Sequence, residues 1–203
     1  MNSPLMECSN DWPQEKRYIN TAIMKTIITV AIFLTSITMN AQEVYDFSLN
    51  SNRNDWYVVD DGVMGGRSNG NIAYSSEGHG IFQGDVSLDN NGGFTSIRHR
   101  MNVIETRGYN MFRLLIKGDG KNYQFRVKTS LRDYQSYVYE FETTGEWQEI
   151  SIPFDQMYPT FRGMKLDMPN YPGEFLRECT FLISNKKEER FHLEIDKIWL
   201  DKY

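Results

Sequence analysis

The sequence predicts an all-β protein, a single sandwich or barrel of about ten short strands. Three observations point there. Apolar residues recur with period two rather than 3.6 from Glu43 onward. Clusters of Gly, Asn and Asp punctuate the chain at short intervals. No amphipathic helix is legible in that region beyond a short turn near Asp155–Tyr158.

The strands are read in order from that alternation. An apolar strand starts at Trp56 and ends in Asp60 and Asp61. Ile72–Ser75, Gly80–Leu88, Phe94–Arg100 and Met111–Lys117 follow. Tyr123–Thr129, Tyr137–Thr143, Trp147–Ile152, Thr180–Ser184 and Phe191–Leu200 complete the set. Turns are expected at Asp61-Gly62, Asn69-Gly70, Asn90–Gly93, Gly118–Gly120 and Thr144-Gly145. Alternation also assigns faces: Tyr123, Phe125 and Val127 point one way, and Gln124, Arg126 and Lys128 the other. Phe191, Leu193 and Ile195 oppose His192, Glu194 and Asp196 in the same manner. Each polar face is either plainly solvated or a concave polar and aromatic binding surface.

Ahead of the strands lies a segment of different character. Residues 1–23 are polar and without period, and read as an upstream extension of a mis-assigned start. Residues 24–41 carry Lys25, an apolar run and a small residue, the layout of a cleaved signal peptide. The run is short for a membrane span, although an N-terminal anchor is the alternative. The expectation is an exported domain, periplasmic or extracellular, over residues 42–203, with no membrane span after cleavage. Losing residues 1–41 removes Lys16, Arg17 and Lys25 with Glu7, Asp11 and Glu15, so the formal net charge stays at -5. That balance argues against a nucleic-acid partner. With 40% hydrophobic and 14% aromatic residues, the chain has material for a full core. Cys179 is then the one remaining cysteine, placed in a strand as a small core residue, which excludes an intramolecular disulfide.

The most distinctive stretch runs from Trp56 to Ser68, where three glycines fall within five residues after two acids. Such a loop folds tightly; its amides could face an anion or a partner's carbonyl, and Asp60 with Asp61 a cation. The glycines equally suit a purely architectural turn. Candidate binding residues are Asp60, Asp61, Gly62, Met64, Gly65, Gly66, Arg67 and Ser68, with Asn91, Gly92 and Gly93 from the second glycine cluster. Arg67 suits a partner's carboxylate and Met64 an adaptable apolar contact. Gly118-Asp119-Gly120 is read as a hairpin turn and not a nucleotide loop, because Tyr123 stands where the third glycine would be. Glu194 and Asp196 share a strand face, where they either bind a metal or face water. His79, His99 and His192 stand in no catalytic setting, and Ser68 lacks a nucleophile elbow.

Several segments together resemble one family. Asp61–Ser68, Asn90–Arg98, Lys117–Tyr123, Trp147–Phe154 with Pro159–Gly163, and Phe191–Ile198 are similar, in that order, to motifs of the complex I intermediate-associated protein 30 family. The resemblance covers nearly all of residues 42–203. It implies a galactose-binding-domain-like jelly-roll β-sandwich, related in fold to carbohydrate-binding modules. It also implies a non-catalytic binding or assembly module acting through an unidentified protein partner.

A glycan is the alternative ligand, motivated by Trp56, Tyr57, Tyr134, Tyr137, Tyr139, Tyr158 and Tyr171, whose rings suit sugar faces. No catalytic residue and no cofactor are expected. A structural calcium is possible, with no ligand set legible.

Overall fold

The computed structural model describes residues 41–48, 52 and 54–203. The extension at 1–23 and, apart from Ala41, the signal-peptide segment lie outside the described residues. The described chain runs through thirteen strands. They are β1 (Gln42–Asp46), β2 (Trp56–Asp60), β3 (Asn69–Tyr74), β4 (Gly80–Val86) and β5 (Thr95–Glu105). Next come β6 (Met111–Lys117), β7 (Asn122–Lys128), β8 (Ser136–Glu142) and β9 (Trp147–Pro153). The last four are β10 (Tyr158–Phe161), β11 (Met164–Lys165), β12 (Phe175–Ile183) and β13 (Glu189–Asp201).

Every pairing is antiparallel, in two sheets. One has six strands in the order β3-β4-β13-β6-β9, with β1 also on β13. The other has seven, in the order β11-β10-β8-β7-β12-β5-β2. The spine of the first is β13, which pairs with β4 through residues 189–195 and with β1 through residues 197–200. The inward faces of both sheets meet in one core that includes Phe82, Leu114, Ile116 and Leu193 from the first and Ile97, Phe125, Cys179 and Phe181 from the second. This is the sandwich the alternation predicts. Phe125 sits edge-on to Phe112 and tilted to Phe181, both with centroids 5.4 Å away, so the two sheets interlock through rings. Cys179 lies fully buried among them, and burial pushes its thiol pKa up.

Two predicted turns are not turns between neighbours. Asn69-Gly70 lies inside β3, opposite Asp85 and Gly84 of β4. Gly70 is there for close approach: a side chain would run into Thr95, and its amide donates to Asp60 Oδ1 at 3.1 Å. Gly118–Gly120 joins β6 to β7, which belong to different sheets, so it is an arch across the sandwich and not a hairpin. Asp119 explains why it holds. Its Oδ1 accepts from the Tyr123 hydroxyl at 2.9 Å, and its Oδ2 from the His192 amide at 2.9 Å and the Lys121 ammonium at 2.5 Å. One carboxylate thereby ties the arch to β7 and to β13 of the opposite sheet.

Strands β1, β10 and β11 escape the sequence reading. Pro159 sits inside β10, and proline cannot donate to a ladder; the residue fits because β10 is next to the two-residue edge strand β11. The turn expected at 155–158 is a 3-10 turn over Phe154–Gln156, with Tyr158 already in β10.

Asp119→Ala is expected to lower stability by about 2–4 kcal/mol, since it strands the Tyr123 hydroxyl and the His192 amide without an acceptor. Urea denaturation checks this; an unchanged midpoint would refute the role given to the arch.

Candidate functional site

The two glycine clusters singled out in the sequence do come together. A 3-10 turn over Asp61–Met64 follows β2, and a second one over Asp89–Asn91 precedes β5. The Asp61 carboxylate joins them. It accepts from the Ser68 amide (3.1 Å) and hydroxyl (2.5 Å), from the Gly93 amide (2.7 Å) and from the Phe94 amide (3.3 Å). Burial pushes the Asp61 pKa up, but the bonds from Ser68, Gly93 and Phe94 outweigh it and hold the acid below its ordinary value. Gly66 has no room for a side chain because it would overlap that carboxylate. Asp60 accepts from the Thr95 hydroxyl at 2.5 Å. The amides and acids that suited an anion or a cation are thus turned on one another, forming a closed knot. Arg67 remains exposed, 3.2 Å from Asp89, while Gly62, Gly65 and Asn91 are exposed and Gly92 half-buried. The side chain of Met64 lies outside the described residues.

The open polar surface is elsewhere, on the outward face of the seven-stranded sheet. Register lines up a single row across six strands: Tyr57, Arg98, Thr180, Arg126, Val138 and Tyr158. These residues face outward because their neighbours Ile97, Cys179, Phe181, Phe125 and Val127 point into the core. Over the β7–β8–β10 part of the row lies a cleft of about 570 Å³, with Gln124, Glu140 and Lys165 in its lining. A smaller hollow of about 40 Å³ continues from Arg126 to Arg98, Lys128 and Glu178.

The charges of this face are unevenly satisfied. Glu178 is buried and receives Arg100 Nε at 2.9 Å and the Tyr57 hydroxyl at 3.4 Å. Glu140 receives Gln124 Nε2 at 3.0 Å and the Tyr158 hydroxyl at 2.9 Å. The two central guanidiniums lack such partners. Arg98 Nε is buried with no hydrogen-bond acceptor. Arg126 gives its Nε (2.9 Å) and one terminal nitrogen (2.5 Å) to the neutral Gln124 Oε1. Burial, reinforced by the charge of Arg98, brings the Arg126 pKa down to about 10.

The aromatic residues named from the sequence separate by face. Trp56, Tyr137 and Tyr171 are core residues. Tyr57 and Tyr158 stand at the two ends of the cleft row, Tyr139 is half-buried, and Tyr134 is 58% exposed beside Phe161. Glu194 and Asp196 are partnered separately, with Lys117 and His192 near the first and His79 near the second. Among the described residues no three His, Cys, Asp or Glu side chains gather as metal ligands. The sequence did contain the cleft, since the outward set Gln124, Arg126 and Lys128 was legible. Its pairing with Arg98 through Thr180 needed the strand order, which alternation does not supply.

The sequence profile of the complex I intermediate-associated protein 30 (CIA30) family matches residues 45–195. The chain belongs to the CIA30 family. A Drosophila melanogaster relative named complex I intermediate-associated protein 30, mitochondrial, is 27% identical over 183 residues, covering 78% of this chain and 62% of that protein. The Mus musculus protein of the same name is 24% identical over 185 residues, covering 80% and 56%. The chain thus spans about six-tenths of the length of these CIA30 relatives. Their mitochondrial names overturn the expectation of an exported protein, which rested on the leader alone and not on the domain. In structure, the domain is similar to the family 11 carbohydrate-binding module of Clostridium thermocellum, bound to a β-1,3-1,4-mixed-linked tetrasaccharide. The TM-score is 0.58 at 16% identity, covering 80% of this chain and 95% of the module. That likeness concerns the sandwich fold.

The knot makes a pH-dependent prediction. A depressed carboxylate pKa adds stability above the ordinary value of 3.8, and that stability is lost as pH falls through the lower folded value. Asp61→Asn should cost about 1–3 kcal/mol at pH 7, with the gap to wild type narrowing below about pH 4. Urea unfolding at pH 7 and pH 3 reads both; a gap independent of pH would count against the ionised tie.

Proposed function

We propose that this chain is a non-catalytic binding module of the CIA30 type, an assembly factor that holds a protein partner against the outward face of its seven-stranded sheet. The observation that carries the reading is the cleft row, where two guanidiniums sit partly buried without a carboxylate. The names of the relatives support an assembly role. The acids that a hydrolytic reading would use are spent: Asp61 is closed within the knot, and Glu178 and Glu140 are bound by neighbours. Within this proposal the exposed Arg67 of the knot supplies a secondary contact, and no cofactor is invoked.

A carbohydrate ligand is the second reading, favoured by the tyrosines at the ends of the cleft. The protein reading is preferred because one face of each ring is already occupied. The Arg100 guanidinium lies 5.2 Å from the Tyr57 ring centre and the Lys165 ammonium 5.1 Å from that of Tyr158. Those are faces on which a sugar would stack.

The test is partner capture from the chain's own cells with tagged wild-type protein and an Arg98→Gln/Arg126→Gln variant whose melting curve is intact. Proteins recovered with wild type should fall by at least about tenfold with the variant. Equal recovery would reject the cleft as the contact surface. Saturable binding of a neutral oligosaccharide, lost in Tyr57→Ala, would favour the second reading.

A further inference from the structure

The cleft's own charge pattern indicates what chemistry it takes, and the argument rests on the binding-module reading above. Arg98 and Arg126 flank Thr180 from opposite sides, on β5 and β7, with their backbones about 10 Å apart across two strand spacings. Side chains of that length can both reach a group seated above Thr180, which is 6% exposed beneath them. Two like charges on one cross-strand row repel, and each is partly withdrawn from water. Fold alone gives no return for that arrangement, because the nearby carboxylates are engaged elsewhere: Glu178 by Arg100 and Glu140 by Gln124.

The surroundings reinforce the sign. Arg98, Arg126, Lys128, Lys165 and Lys186 line the two hollows, which share Arg126, against Glu140 and Glu178, on a chain whose formal net charge is -5. An anion set between the guanidiniums relieves their repulsion and offers acceptors to their terminal nitrogens. The planar donor fork of arginine matches a carboxylate in two parallel bonds, a geometry that lysine does not offer. The clamp itself lies in the smaller hollow of about 40 Å³, which suits one carboxylate; the cleft of about 570 Å³ on the other side of Arg126 accommodates a short stretch of chain. Lys165 and Lys186 then meet further acids of that stretch.

We infer that this cleft is a receptor for an acidic segment of the partner protein, with one carboxylate clamped between Arg98 and Arg126. Glutamate or aspartate side chains are the recognised groups, and the lysines at the margin select for neighbouring acids.

The experiment uses the full chain labelled with nitrogen-15. It is titrated with an end-capped hexaglutamate peptide, the matching hexaglutamine peptide and trigalacturonate. The readout is the Nε–H signals of Arg98 and Arg126, assigned by their loss in Arg98→Lys and Arg126→Lys. The expected result is a saturable shift of both signals with hexaglutamate, weakened by added salt, and none with hexaglutamine. Affinity should fall at least about tenfold in Arg98→Gln and in Arg126→Gln, each shown to keep the wild-type amide spectrum. Unmoved arginine signals, or undiminished binding by folded Arg→Gln variants, would overturn the inference. So would a response to trigalacturonate alone, which would assign the carboxylate to a glycan. A partner captured through the cleft alongside an inert hexaglutamate would remove this inference and leave the assembly reading. A bound hexaglutamate with no cleft-dependent partner would remove the assembly reading instead.

Discussion

Strict alternation of side chains along β5, β7 and β12 is the constraint on which the rest of this molecule depends. Each of these three adjoining strands gives one face to the core and one to the surface. Ile97, Phe125, Val127, Cys179 and Phe181 are all below 2% exposed. Burying a large apolar side chain contributes about 1.5–3 kcal/mol, so a one-residue slip that turned this set outward would forfeit the centre of this sheet's contribution to the core. The register is therefore fixed from inside. Once it is fixed, Arg98, Thr180 and Arg126 have no choice but to line up on the other face. The cleft is the outer consequence of an inner packing solution.

At the sandwich's connections, carboxylates do what apolar packing cannot. Asp119 sits where the chain arches between sheets, and Asp61 where the two glycine clusters meet. Such places leave amides without ladder partners, and a carboxylate accepts several at once. Short side chains and glycine are needed because the acid occupies the space a neighbour's Cβ would take, as at Gly66. The carboxylates of Asp61 and Asp119 are answered by several donors of the same chain, whereas Arg98 Nε meets no acceptor and Arg126 only a neutral one. This asymmetry is what sets the proposed site apart from architecture: a tie is complete in itself, and the arginine row retains unmet capacity.

The sequence made these two roles legible to different degrees. The strands from β3 to β9, and β12 and β13, could be read from period two because their inward residues are large and apolar. Strand β10 could not, since Pro159 speaks against a strand unless the two-residue edge strand β11 beside it is known. Gly118–Gly120 reads as a hairpin because local spacing does not say that β6 and β7 lie in different sheets. The glycine-rich run around Asp61 is distinctive because of its backbone, and that backbone serves internal closure. In sequence Arg126 belongs to one strand's polar face and Arg98 to another strand, with nothing local to join them. They are 28 positions apart and on non-adjacent strands, and only the intervening β12 makes them one feature. Chemistry that spans strands is encoded in topology, to which a linear pattern is blind.

The proposed contact surface lies on a sheet rather than on loops, which bears on how a partner would be recognised. Strands are held by the core beneath them, so the backbone spacing of the two arginines is set in advance and less ordering is required on binding than from loops. The charge arrangement adds a second filter. At long range an acidic partner meets a chain of net charge -5, so attraction at a distance does not favour encounter. Screening at physiological salt confines the cleft's field to about 8 Å. The pull therefore acts only once shapes already match, and an acid is gained or lost according to fit at Arg98 and Arg126. In the proposed reading, selectivity therefore resides in short-range contacts, and no long-range field holds the wrong acidic surface in place.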